Sequence, residues 1–178
     1  SRLVEELIAS LDDFGAVHPL VLEGVCAPYG ETNVWSPVAT ALAGHLDFGP
    51  HASADEVRAL AALKATSLLS GDGSTPGSDV ARSVEVFLHL LGYESSLDTT
   101  DVAMRRDMVH RAIARVVELR CDKSPVVLWI DDLHWADQVV VDLLEHLATT
   151  VTRDPFVIVT SMRPGGDLPW PPTTDRAT

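Results

Sequence analysis

The feature that most constrains the fold of this chain is an uninterrupted apolar segment, VVLWI at residues 126–130, which two aspartates follow directly. A strand covered on both faces, as in the middle of a parallel sheet, has such a continuous apolar run. A second apolar segment, FVIVT, lies at residues 156–160, and a third, HPLVLEGVC, lies at 18–26. These three segments predict buried strands of one parallel sheet.

Segments with helical periodicity alternate with the predicted strands. Apolar residues recur there every three or four positions, which is typical of helices that bury one face. The predicted helices cover residues 1–13, 35–46, 54–69 and 101–122, and two more are predicted to start at the caps Asp79 and Asp137. The alternation of strands and helices indicates an α/β fold.

The composition excludes several function classes. With 26 acidic residues against 13 lysines and arginines, the net charge is −13, and no basic cluster is present to bind the phosphates of a nucleic acid. No apolar segment approaches the roughly 20 residues that cross a bilayer. Only Cys26 and Cys121 are available, without a zinc-ligand pattern, which favours a reduced, cytoplasmic setting.

A glycine-rich segment, GDGSTPG at residues 71–77, resembles a phosphate-binding loop only superficially. Such a loop needs a buried strand before it, and the preceding segment is predicted to be helical. The segment is therefore interpreted as a linker.

Two carboxylates at the end of a buried strand have a specific chemical use. Ligands of parallel α/β sheets bind at the carboxyl ends of the strands. There Asp131 can hold a hydrated Mg²⁺ while Asp132 orients a water, which is the layout of a Walker B motif. The alternative is that either aspartate only caps the turn after the strand.

Several segments resemble the AAA and STAND ATPase domains of large bacterial signalling proteins, including LuxR-type transcriptional regulators and proteins associated with class III cyclases. The strongest resemblance lies in VVLWIDDLHWAD at residues 126–137 and in SRLVEEL at the start of the chain. CAPYGE at residues 26–31 and VTSMRP at 159–164 also fit that family. The resemblance implies a three-layer αβα P-loop NTPase core with a parallel sheet.

The resemblance also implies roles for individual residues. Ser1 would be the last residue of the Walker A motif and would offer its hydroxyl to Mg²⁺. Asp131 would bind the same ion through its waters, and Asp132 would polarise the attacking water. Arg163 would sense the γ-phosphate of ATP. His134 either contacts polar groups linked to the nucleotide or has a structural role in the connection after the strand.

The P-loop glycines and lysine are absent from this sequence, as is the strand that precedes them in that family. We therefore expect residues 1–168 to be a partial P-loop domain, truncated before its central strand, and 169–178 to be a Pro-rich tail. Such a fragment alone should bind nucleotide poorly.

The expected function is a slowly hydrolysing, ATP-dependent switch. It would act on other domains of the same polypeptide or through self-association. The alternative is a non-catalytic module that binds nucleotide or a protein.

Overall fold

A computed structural model describes residues 2–11, 18–28, 33–44, 52–69, 76–152 and 154–163. Its sheet has three parallel strands in the order β1-β2-β3: Leu20–Val25, Val126–Asp131 and Phe156–Thr160. The predicted strands and their parallel pairing are confirmed. Ser1, the glycine-rich segment up to residue 75 and the predicted tail at 169–178 lie outside the described residues.

The described segments contain six α-helices, which lie between and around the strands. They are α1 (Arg2–Leu11), α2 (Ser36–Ala43), α3 (Ala54–Leu69), α4 (Pro76–Leu90), α5 (Val102–Cys121) and α6 (Gln138–Thr150). The cap predicted at Asp137 is confirmed, because its carboxylate accepts a hydrogen bond from the Val139 N–H at 3.0 Å. Apart from the start of α4, the described helices agree with the predicted periodic segments, and the mixed α/β architecture is consistent with a P-loop NTPase-like core.

The predicted start of α4 is wrong. The helix begins at Pro76 instead of after a cap at Asp79, so residues 76 and 77 of the supposed linker are helical. Proline is well suited to the first turn of a helix, because its fixed φ matches and its missing N–H has no partner there. Asp79 lies within that first turn and forms an ion pair with Arg82 at 3.1 Å.

One face of the sheet forms the main core. Leu22 and Leu128 are paired across β1 and β2 and pack in the same buried cluster as residues of α2, α5 and α6. Gly24 allows α2 to approach β1 closely, since a Cβ at this position would lie 2.1 Å from the carbonyl oxygen of Pro37. The absence of a side chain at Gly24 therefore sets the distance between helix and sheet.

The opposite face of the sheet is less uniformly covered. Val127 and Trp129 are buried in the middle strand, whereas Val25 and Val157 on the flanking strands are 48% and 55% exposed. The middle strand is thus covered on both faces, as its continuous apolar run predicts. No helix of the described segments is both long and apolar enough to cross a lipid bilayer.

Candidate functional site

The candidate site lies at the carboxyl ends of β2 and β3. Asp131 is the last residue of β2, and Ser161 follows β3 directly. Two backbone hydrogen bonds join Ser161 to the end of β2 and to the segment that follows it. The Ser161 N–H donates to the Ile130 oxygen at 3.2 Å, and the Leu133 N–H donates to the Ser161 oxygen at 2.8 Å. The backbone therefore fixes Ser161 beside the two aspartates.

The Ser161 side chain connects the two aspartates. Its hydroxyl donates a hydrogen bond to Oδ1 of Asp131 and accepts one from the backbone N–H of Asp132 at 3.1 Å. Sequence reasoning missed Ser161 as a site residue. The available signal was its position immediately after the strand that neighbours β2, because equivalent ends of parallel strands meet at one edge of a sheet.

The Asp131 carboxylate is half-buried, yet it is held in its charged form. Burial acts to raise its pKa, but the hydrogen bond from Ser161 and the positive charge of the chain's amino terminus act in the opposite direction, and the net result is a lowered pKa. An ionised carboxylate at this strand end suits a hard cation such as Mg²⁺.

Asp132 adopts a left-handed backbone conformation, with φ of 54° and ψ of 41°. It is the only non-glycine residue with a positive φ in the described part of the chain. This conformation is costly for residues with a Cβ, although aspartate tolerates it better than most. It ends β2 sharply and leaves the Asp132 side chain 41% exposed, while Asp131 stays aligned with the strand.

His134 lies in the 3₁₀ turn Leu133–Trp135 that follows the aspartates. Its side chain is 13% exposed, and its Nδ1 lies 3.9 Å from Oδ1 of Asp132, beyond hydrogen-bond distance. Both ring nitrogens are buried, and neither has a hydrogen-bond partner among the described residues. The ring lies 5.0 Å from that of Trp135, measured between centroids. The imidazole is thus packed into the turn that joins β2 to α6, and its described ring contact is with Trp135.

The other predicted site residues are less closely associated with the aspartates. Arg163 is exposed, two residues beyond Ser161, and none of its described contacts is an ion pair with Asp131 or Asp132. Ser1 lies outside the described residues. The structure therefore brings together Asp131, Asp132 and Ser161, and the roles of Asp131, Asp132, Ser1 and Arg163 stay predictions.

The residues present fit magnesium better than a transition metal. Among the residues that the structure describes, no group of three or more His, Cys, Asp and Glu side chains could hold a metal ion. Mg²⁺ needs no such cage, since it commonly keeps several waters and binds one or two carboxylates together with the phosphates of a substrate. Asp131, ionised at the strand end, matches this requirement.

Comparisons with known proteins give a family. A family model described as an AAA ATPase domain matches residues 1–159. An uncharacterized protein of Rhizobium meliloti (strain 1021) is 35% identical over 89 residues, which are 49% of this chain and 9% of that protein. The chain thus spans less than a tenth of the length of this relative. No solved structure matches the chain.

Proposed function

Because the chain belongs to the AAA ATPase domain family, we propose that it is the ATP- and Mg²⁺-binding part of a regulatory switch in a bacterial signalling protein or transcriptional regulator. Family membership supports nucleotide binding by this chain. The switch role and the signalling context extend that statement, on the resemblance of residues 126–137 to such ATPases.

The observation that carries the proposal is the hydrogen-bonded arrangement of Asp131, Ser161 and Asp132. A serine that bonds the carboxylate of one aspartate and the backbone of the next holds both at defined positions. Phosphoryl transfer depends mainly on such positioning and on neutralising charge on the phosphate oxygens. A turn that only capped a strand would not need a side chain from a neighbouring segment to fix the Asp131 carboxylate.

Each residue would have a separate role in this site. Asp131 would hold Mg²⁺ through its coordinated waters, with the Ser1 hydroxyl as a second ligand. The metal ion, when bound, would neutralise charge on the phosphates. Asp132 would orient the attacking water, and Arg163 would contact the γ-phosphate. Since an aspartate side chain is one methylene shorter than a glutamate, we expect Asp132 to position water less well, which suits a slow switch.

Other domains of the same polypeptide would read the nucleotide state, with self-association as a second means of output. We place this switch in the cytoplasm, where ATP and Mg²⁺ are available. Direct nucleic-acid contacts would belong to a different domain, because this chain carries a net charge of −13.

A second candidate function is a non-catalytic module that binds nucleotide or a partner protein. Within the described residues, the imidazole of His134 makes no hydrogen bond to the proposed catalytic carboxylate of Asp132, and this supports the second candidate. In that case, ATP would stabilise one conformation without turnover.

Nucleotide binding and hydrolysis by the full-length protein test the proposal. Asp131→Asn should weaken Mg²⁺-dependent ATP binding about tenfold, because a charge-assisted contact is lost. Asp132→Asn should preserve binding and slow phosphate release by about 10²–10⁴-fold. The matched control is Asp107→Asn, at an exposed aspartate on α5 that pairs with Arg111.

The outcomes distinguish the two candidates. Binding that persists in the absence of any wild-type hydrolysis supports the non-catalytic module. If Asp131→Asn binds ATP as tightly as the wild type does, both in the presence and in the absence of Mg²⁺, the proposed metal site is wrong.

A further inference from the structure

An apolar cavity of about 100 Å³ lies between β1 and the helices α3, α4 and α5. Its lining includes Leu22, Ala65 and Val86, together with the hydroxyl-bearing Ser83. The residues of β1 that line it belong to the first half of the strand, whereas Asp131 lies at the carboxyl end of β2. The cavity is therefore separate from the candidate nucleotide site.

Three cationic residues line the same cavity: Lys64, Arg115 and Arg120. Arg115 pairs with Glu118 at 3.3 Å. Lys64 and Arg120 are partly buried, and neither has an ion pair or a side-chain hydrogen bond within the described segments. The charges of Lys64 and Arg120 are therefore not neutralised by an ion pair within the described segments, although both residues line the cavity.

We infer that this cavity binds a small amphipathic carboxylate, with its apolar part among the aliphatic side chains and its carboxylate at Lys64 and Arg120. An apolar wall favours a hydrocarbon or aromatic group through burial. The adjacent cations supply the charge complementarity, and a guanidinium is well suited to a carboxylate because it can form two parallel hydrogen bonds.

The size of the cavity limits the ligand. An apolar protein cavity of about 150 Å³ is large enough to take up benzene. At about 100 Å³, the present cavity fits an apolar group of at most about five carbon atoms, such as the tail of hexanoate. A long-chain fatty acid would not fit without movement of α3 or α4.

Calorimetric titration of the 178-residue chain with hexanoate, hexan-1-ol and acetate tests the inference. Hexanoate should bind about tenfold more tightly than hexan-1-ol, since a hydrogen bond to a charged group contributes about that factor. Acetate, which lacks the apolar tail, should not bind measurably. Equal affinities for hexanoate and hexan-1-ol would overturn the assignment of the carboxylate.

Three variants locate the site. Lys64→Gln combined with Arg120→Gln should reduce the affinity for hexanoate to that for hexan-1-ol. Ala65→Leu should fill the cavity and abolish the binding of both hexanoate and hexan-1-ol. Thermal unfolding should show that this variant is folded. Lys123→Gln is the control, because Lys123 is exposed in the turn after α5 and does not line the cavity. Hexanoate binding that survives both the double substitution and Ala65→Leu would refute the site.

Discussion

The Ser161 hydroxyl donates a hydrogen bond to the carboxylate of Asp131, across the carboxyl ends of β3 and β2. The same oxygen accepts a hydrogen bond from the backbone of Asp132. One side chain directly after a neighbouring strand thus helps to lower the pKa of Asp131 and also bonds the backbone of the left-handed residue that follows it. The positions of the Asp131 carboxylate and of the Asp132 backbone therefore depend on the pairing of β2 with β3 as well as on the local sequence.

Replacement of Ser161 should therefore affect Asp131 directly. In Ser161→Ala, the pKa of Asp131 should rise, because burial continues to favour the neutral acid while a hydrogen bond to the charged form is lost. The free energy of unfolding at pH 7 should fall by about 1–3 kcal/mol, the cost of unsatisfied partners. Carboxyl titration by NMR and denaturant unfolding measure the two effects.

Ser161→Thr is the matched control for that substitution, since it keeps the hydroxyl. It should retain most of the lowering of the Asp131 pKa. If Ser161→Ala and the wild type titrate alike, the hydrogen bond does not control the ionisation of Asp131.

The left-handed backbone of Asp132 predicts an unusual stabilising substitution. Asp132→Gly should raise the free energy of unfolding by about 0.5–1 kcal/mol, because relief of about 1–2 kcal/mol of strain exceeds the entropic cost of glycine. Asp132→Ala should be no more stable than the wild type, and Asp132→Asn should differ little from it. Denaturant unfolding of the three variants provides the measurement, and a destabilised glycine variant would argue against a left-handed conformation.

Part of this site was predictable from the sequence. Asp131 and Asp132 were identified because a continuous apolar run defines a buried strand, and ligands of parallel sheets bind where such strands end. Ser161 was not identified from the sequence, because its role depends on which strand pairs with β2 and in which register. A single serine after a strand carries no local signal of that pairing.

The fold shows the same division between local and non-local information. The boundaries of α3 and β3 follow from periodicity and apolar runs, which are local patterns. The start of α4 was misplaced because Asp79 and Pro76 are both acceptable in a first turn, and propensity alone does not choose between them. The close approach of α2 to Gly24 is a tertiary contact that no local pattern reveals.

That close approach makes Gly24 sensitive to the smallest substitution. In Gly24→Ala, the new methyl group would lie 2.1 Å from the backbone oxygen of Pro37, so α2 or β1 must shift. We expect a loss of about 1–3 kcal/mol in the free energy of unfolding, as for other overpacked cores. Gly44→Ala is the control, since its nearest contact is an ordinary 3.6 Å to the Thr40 oxygen. Equal unfolding midpoints for the two variants would contradict the packing described between α2 and the sheet.

His110 predicts how stability depends on pH. Its imidazole is buried in α5 and faces His146 of α6, with 5.1 Å between ring centroids. Burial lowers the pKa of His110, and the positive charges of His146 and Arg106 add to that effect, while Asp142 and Asp107 oppose it.

Because the folded-state pKa of His110 lies below the value of about 6.5 in the unfolded chain, the unfolded state binds the proton first as the pH falls. Stability is therefore full above pH 6.5 and should decrease from there towards pH 5, with a slope of at most about 1.4 kcal/mol per pH unit from this residue. His110→Phe removes the titrating group and should flatten this part of the curve in denaturant unfolding at each pH. His146→Phe should flatten it only partly, since the desolvation of His110 would persist. If His110→Phe has the same slope between pH 6.5 and 5 as the wild type, proton uptake by His110 does not contribute to acid destabilisation.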